Sequence, residues 1–220
     1  MQLDTVLFDL DGTLTDSAEG IINTLLYALD KFDCHPKREE LYRFIGPPLT
    51  ECFEEYIGPE NAAEGVEIYR RRYAVTGLYE NKVYDGIPEM LASVKKAGFM
   101  VALSTSKPEE YAKMILEHFG LLPYFDIVAG ARMDGTLQAK ADVIELALSR
   151  IINVDRKKTV IVGDRLHDME GAEACGIGRI GVLWGFGSVE ELLRYHPLLL
   201  AKTPAEVADF LTAQTKEETK

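Results

Sequence analysis

Paired cysteines are the first thing this sequence lacks. Cys34, Cys52 and Cys175 are odd in number and widely spaced, with no C-x-x-C pair. That argues against a disulfide framework or a structural zinc site, and it suits a reducing cytosol. A basic surface is missing too: 24 Lys and Arg face 36 Asp and Glu, a net charge of -12. Nucleic acid and anionic membranes need concentrated positive charge, because phosphate neutralisation dominates that affinity. The short basic runs (Arg70, Arg71 and Arg72; Arg156, Lys157 and Lys158) lie among acidic residues and read as solvated faces. No apolar run approaches the ~20 residues that span a bilayer. No basic stretch followed by an apolar one opens the chain, so no signal peptide is evident. Internal repeats and low-complexity segments are absent as well. These absences lead us to expect a soluble, cytoplasmic protein with neither nucleic acid nor membrane as partner.

What is present is an apolar fraction of 47%, ample for a core, arranged in two styles. Thr5-Val6-Leu7-Phe8 reads as a buried strand, and Asp9-Leu10-Asp11-Gly12-Thr13 as the loop it enters. Ala18, Ile21, Ile22, Leu25, Leu29 and Phe32 then recur at the spacing of one helix face. Helical character continues to about Tyr79, broken at Gly46-Pro47-Pro48 and at Gly58-Pro59. Beyond Val83, short apolar runs over 99–104, 126–130, 159–163 and 180–184 alternate with helical stretches over 87–97, 109–119, 141–152 and 168–175. Alternation of this kind predicts an α/β fold, a doubly wound parallel sheet with a Rossmann-like core. The expected division is residues 1–15 and 82–220 for the core and 16–81 for an inserted all-helical cap. Thr203 and Glu206 have the spacing of a capping box for a last helix near 204–211, and 215–220 reads as a frayed polar tail.

In open α/β sheets ligands bind beyond the carboxyl ends of the strands. Four polar clusters fall there: Asp9 with Asp11; Ser104, Thr105, Ser106 and Lys107; Asp134 with Lys140; and Asp164 with Asp168. Two carboxylates ending an apolar strand repel each other and are costly to desolvate without a cation, so a turn role alone explains Asp9 and Asp11 poorly. Gly12 allows close backbone approach to an anion. Asp164 and Asp168, taken alone, are equally compatible with a helix N-cap and its acidic first turn. Thr105 alone reads as a cap for the helix after Pro108. Lys140 near a helix start is unfavourable by dipole sign and wants an anion nearby. All the carboxylates together, without His or Cys, suit a hard cation such as Mg²⁺.

The stretch Phe8-Asp9-Leu10-Asp11-Gly12-Thr13-Leu14, then Thr105, Lys140 and Val162-Gly163-Asp164-Arg165-Leu166-His167-Asp168, resembles the four motifs of haloacid dehalogenase-superfamily phosphatases, in order and spacing. Phe44-Ile45-Gly46-Pro47-Pro48-Leu49 and Trp184-Gly185-Phe186-Gly187-Ser188 are similar to the helical-cap branch that holds phosphoglycolate phosphatases. The resemblance implies that Asp9 is a nucleophile forming an aspartyl phosphate and Asp11 a general acid and base. It implies Mg²⁺ on Asp9, the Asp11 carbonyl and Asp164. Thr105, Ser106, Lys140 and Gly12 would contact phosphate, and Asp168 would orient Lys140 or a metal-bound water. A small phosphorylated metabolite is the implied substrate, phosphoglycolate first, for a monomer or homodimer. A nucleoside monophosphate 5'-nucleotidase and a phosphosugar mutase are the alternatives. Arg43 and Gly46, in the cap, are candidates to meet the substrate's distal anion, although Arg43 by itself reads as a solvated arginine.

Overall fold

The structure is a computed structural model that describes residues 2–134, 136–137 and 139–214. The expected tail, 215–220, lies outside them. The chain divides into two compact units, Met1–Thr15 with Val83–Lys220 and the intervening Asp16–Lys82. Strands β1 (Thr5–Phe8) and β2 (Thr15–Asp16) precede helix α1 (Ala18–Asp30). After a 3-10 segment, Arg38–Phe44, come α2 (Leu49–Ile57), α3 (Pro59–Arg72) and a π turn, Tyr73–Gly77. Strand β3 (Lys82–Val83) pairs with β2 in a separate two-stranded sheet. Then follow α4 (Ile87–Lys96), β4 (Met100–Pro108), α5 (Glu109–His118), β5 (Ile127–Ala131), α6 (Lys140–Ser149), β6 (Thr159–Gly163) and α7 (Leu166–Ala174). The chain closes with β7 (Gly178–Val182), α8 (Val189–Leu193), β8 (Leu199–Ala201) and α9 (Pro204–Gln214).

The larger unit is an α/β domain on a six-stranded sheet, ordered β5-β4-β1-β6-β7-β8, with every pairing parallel. This is the doubly wound architecture that the alternation predicts. Leu7, Ala102 and Ile161 share one face and pack with Val143, Ile144 and Ala147 of α6 and Ala172 of α7. Their chain neighbours Val6, Phe8, Val101, Leu103, Val160 and Val162 point to the opposite face and are also fully buried. Both faces are therefore covered, as a parallel sheet requires. At about 25 cal/mol per Å² of apolar area, burial of this kind is the main force holding the strands in register.

Strand β8 was not among the expected strands. Three residues after Pro197 are too few to show a period, and its pairing with β7 supplies what local pattern does not. The closing helix is capped as expected: Glu206 N–H donates to Thr203 Oγ1 at 3.3 Å. Its carboxylate reaches back to Lys202 N–H at 2.8 Å, one residue short of the usual box partner.

The smaller unit is helical. Ile21, Ile22, Leu25 and Leu29 of α1 are buried along one stripe. The two Gly-Pro breaks fall where the 3-10 segment gives way to α2 and where α3 begins. Arg72 of α3 donates to both Glu80 oxygens, at 3.0 and 3.2 Å, and to Thr24 Oγ1 at 2.6 Å. Among the described residues no helix is long and apolar enough to cross a membrane.

Candidate active site

Strand register assembles the site. Phe8 lies abreast of Leu103 on β4 and of Val162 on β6, so Asp9 leaves the sheet beside Ser104 and Gly163, with Asp164 one residue beyond. Asp9 is anchored by its own N–H, which donates to the Val162 carbonyl at 2.9 Å.

Lys140, at the first position of α6, is buried and points into this end of the sheet. Its ammonium group pairs with Asp9 Oδ1, with Asp168 Oδ1 at 2.7 Å and with the Ser104 carbonyl at 2.8 Å. The anion that a lysine at a helix start needs is thus supplied twice. Burial, the largest influence, works against its charge, but Asp168 and Asp9 outweigh it and raise the Lys140 pKa.

Asp9, Asp164 and Asp168 are all buried, and one oxygen from each lies within 4.8 Å of the others. Burial, opposed by Lys140 and assisted by the Asp168 charge, pushes the Asp9 carboxyl up to about 7. Asp164 is raised well above the usual carboxylate range, first by burial and then by the charges of Asp168 and Asp9. Carboxylates crowded in this way want positive charge. Asp11 adds a fourth; its Oδ2 pairs with Lys107 at 2.9 Å, and its Oδ1 is buried without a hydrogen-bond partner among the described residues. Four carboxyl groups thus meet two lysines in a largely buried cluster, an excess of acidic groups that only a cation can balance once they ionise. The donors are all oxygen. The set fits a hard divalent cation of the Mg²⁺ kind.

Asp164 is not an N-cap: that position of α7 belongs to Arg165. Its Oδ1 accepts from Thr13 Oγ1 at 3.3 Å and its Oδ2 from the Phe186 N–H at 2.7 Å. Asp168 does serve the helix start, accepting from Arg165 N–H at 3.1 Å while holding Lys140 with its other oxygen. Gly12 has φ +84, and a Cβ there would overlap the Asp164 carboxylate. Thr105 is buried and does not cap α5. Its Oγ1 accepts from Lys107 N–H at 3.2 Å, and the α5 cap position is Pro108. Ser106 is exposed at the end of β4.

Asp134, grouped with Lys140 in the sequence, is exposed and bonds within its own turn to Thr136. In the smaller unit, Arg43 is exposed, paired with Glu55 and stacked on the Phe44 ring at 4.5 Å. Gly46 is exposed with φ +107. Sequence reasoning gave no role to Lys107, although it stands in the Ser104–Lys107 cluster. It also missed the Phe186 N–H, a backbone group that no residue type announces.

The family model for haloacid dehalogenase-like hydrolases matches residues 6–182. A 5'-nucleotidase of Pseudomonas aeruginosa is 42% identical over 195 residues, which cover 87% of this chain and 88% of that protein. The tyrosine-protein kinase PtkA of Mycobacterium tuberculosis is 40% identical over 84% of this chain, which spans 64% of PtkA's length. A crystal structure described as a predicted phosphatase from Clostridium acetobutylicum superposes with TM-score 0.90 at 41% identity, covering 97% of this chain and 100% of that one. Structures described as phosphoglycolate phosphatases share the fold alone, at 20% identity or less.

Proposed function

The chain belongs to the haloacid dehalogenase-like hydrolase family, and from that premise we propose that it is a Mg²⁺-dependent phosphoric monoester hydrolase working through an aspartyl phosphate on Asp9. The observation that carries this reading is the buried constellation in which Lys140 ties the Asp9 carboxylate to Asp168 while Asp11 stands two residues along. Asp9 attacks phosphorus, and the P–O bond to the leaving alkoxide breaks as Asp11 donates a proton to that oxygen. Water then attacks the acyl phosphate and gives its proton to Asp11. The P–O bond to Asp9 breaks, the carboxylate is restored and inorganic phosphate leaves. Lys140, the Thr105 hydroxyl and the Ser106 amide bind the phosphoryl oxygens where charge develops, and Gly12, whose own N–H donates to the Thr15 carbonyl at 2.8 Å, lets the loop come close to them. The Asp9 carboxylate, the Asp11 carbonyl and Asp164 would hold Mg²⁺, which supplies positive charge between nucleophile and phosphate when bound. Asp168 keeps Lys140 charged and oriented.

For the substrate, small soluble phosphomonoesters come first, with Arg43 and Gly46 assigned to a distal anion of the phosphoglycolate kind. Arg43 would exchange Glu55 for that anion. A second reading, a nucleoside 5'-monophosphate, is favoured by the 42% identical relative named 5'-nucleotidase. A phosphate-release screen tests both, with phosphoglycolate, nucleoside monophosphates, sugar phosphates, pyrophosphate and phosphotyrosine assayed with and without Mg²⁺. Release from none of them would overturn the hydrolase reading, and isomer formation without release would make the chain a mutase.

A further inference from the structure

One sequence motif has no part in the chemistry above: Trp184-Gly185-Phe186-Gly187, the turn between β7 and α8. We propose that this turn is a positioning clamp for the Asp164 carboxylate, so that Trp184, Gly185 and Phe186, together with Thr13, set the affinity of the cation site. The proposal rests on reading Asp164 as a metal ligand.

Three hydrogen bonds make the clamp. The Phe186 N–H donates to Asp164 Oδ2 at 2.7 Å, and the Thr13 hydroxyl donates to Oδ1 at 3.3 Å. The Trp184 indole N–H donates to the Thr13 carbonyl at 3.0 Å, joining the turn to the segment that carries Asp9 and Asp11. Both oxygens of Asp164 therefore meet a fixed donor, one from each side of the site. The glycine between the two donors has a steric reason. A Cβ on Gly185 would overlap the Gly12 carbonyl and the Asp164 side chain, so the turn can lie this close only without one. Gly187 is confined in the same way, against the Asp164 carbonyl and the Glu191 carboxylate. Glu191 in turn accepts from Leu166 N–H at 3.1 Å and from Arg165 Nε at 3.0 Å, fixing the start of α7 just after Asp164.

A carboxylate left to rotate gives up part of its binding free energy to become ordered; one held by outer partners does not. Loss of such partners typically weakens metal affinity about 10- to 100-fold. The clamp thus explains why this turn carries a donor–glycine–donor order, which a plain connection between β7 and α8 does not need.

Calorimetric titration of the full chain with Mg²⁺, without substrate, tests the idea. Trp184 is the only tryptophan, so its emission provides a second readout, expected to change with the same midpoint. Gly185→Ala should weaken Mg²⁺ about 10- to 100-fold. Thr13→Val and Trp184→Phe, each losing one hydrogen bond, should weaken it about two- to tenfold. Thr13→Ser, which keeps the hydroxyl, should restore binding. Should Gly185→Ala fail to fold, the Thr13 and Trp184 variants carry the test. Parental affinity in folded Thr13→Val and Trp184→Phe would overturn the clamp and leave the metal reading standing. A parent protein that gives neither heat nor an emission change with Mg²⁺ would sink both.

Discussion

Lys107 Nζ lies 2.9 Å from Asp11 Oδ2, and both side chains are largely shielded, at 6% and 18% exposure. The residue proposed to move protons is thus held by a lysine from the neighbouring strand. A carboxylate fixed by an ion pair in a shielded site keeps one orientation, and orientation is much of what general acid–base catalysis requires. We expect Lys107→Ala to lower kcat for an alkyl phosphate by about 10- to 100-fold, less than the full 10²–10⁴ that such catalysis contributes, because Asp11 itself is kept. An aryl phosphate, whose leaving group needs little protonation, should suffer less in the first step. Equal losses on both substrates under single-turnover conditions would show that Lys107 acts elsewhere.

Asp9→Asn should abolish turnover while leaving the melting temperature near that of the parent. An amide cannot form the acyl phosphate, and losing the attacking atom should cost more than the 10²–10³-fold typical of one oxyanion donor. The same change removes an acidic group from the Asp9, Asp164 and Asp168 cluster, and Lys140, losing Asp9, keeps Asp168 as its partner at 2.7 Å, so stability has little reason to fall. Activity within tenfold of the parent, with deamidation excluded by mass spectrometry, would remove covalent catalysis.

Asp164 and Asp168 should fail differently. Asp164 touches the Phe186 N–H and Thr13 but no lysine at bonding distance among the described contacts, whereas Asp168 holds Lys140 at 2.7 Å. Asp164→Ala should raise the Mg²⁺ concentration needed for half-maximal rate by at least about tenfold. Asp168→Ala should act chiefly through Lys140, lowering the rate at saturating Mg²⁺. Steady-state rates across a Mg²⁺ series separate the two, and the reverse pattern would exchange the roles.

How far the sequence leads can be judged from these residues. Asp9 and Asp11 were legible because the strand and its carboxylates are contiguous, so period and chemistry sit in one stretch. The parallel sheet was legible because its strands are continuous apolar runs separated by helical ones. Asp164 was ambiguous, since an aspartate before a helix is so often a cap; only the Thr13 and Phe186 donors show that its oxygens face the site instead. Thr105 misleads in the same way. Lys107 was visible as part of a cluster but not as the partner of Asp11, because nothing local fixes where a lysine's four-carbon stem reaches. Strand β8 escaped because three residues carry no period, and its place is set by its neighbour in the sheet.

Protons and the cation compete for the same buried carboxyls. Burial raises Asp9 to about 7 and Asp164 well above its ordinary range, whereas both carboxyls titrate near 3.9 in an unfolded chain. Between those limits the folded protein without metal binds more protons than the unfolded one, so its stability must fall as pH rises. The contribution is fully present below the unfolded value and is lost on passing the folded one. In chelator, the melting temperature should therefore drop between about pH 5 and pH 7.5, by on the order of 5 °C for a chain of this size. Mg²⁺ needs the same carboxylates deprotonated and competes with those protons, so its stabilising effect should grow over the same interval. At 100 times its Kd a ligand specific to the folded state adds about 2.7 kcal/mol, enough to offset the drop at the upper end. Thermal melts at a series of pH values, with chelator and with Mg²⁺, provide the check. Asp164→Asn should make the chelator curve shallower and shrink the Mg²⁺ increment together, because the Asp164 carboxylate contributes to both and Asp9 alone remains. A chelator curve that rises across this interval in the parent protein would mean that Asp9 and Asp164 are ionised and satisfied without a cation, and the metal assignment would fail with it.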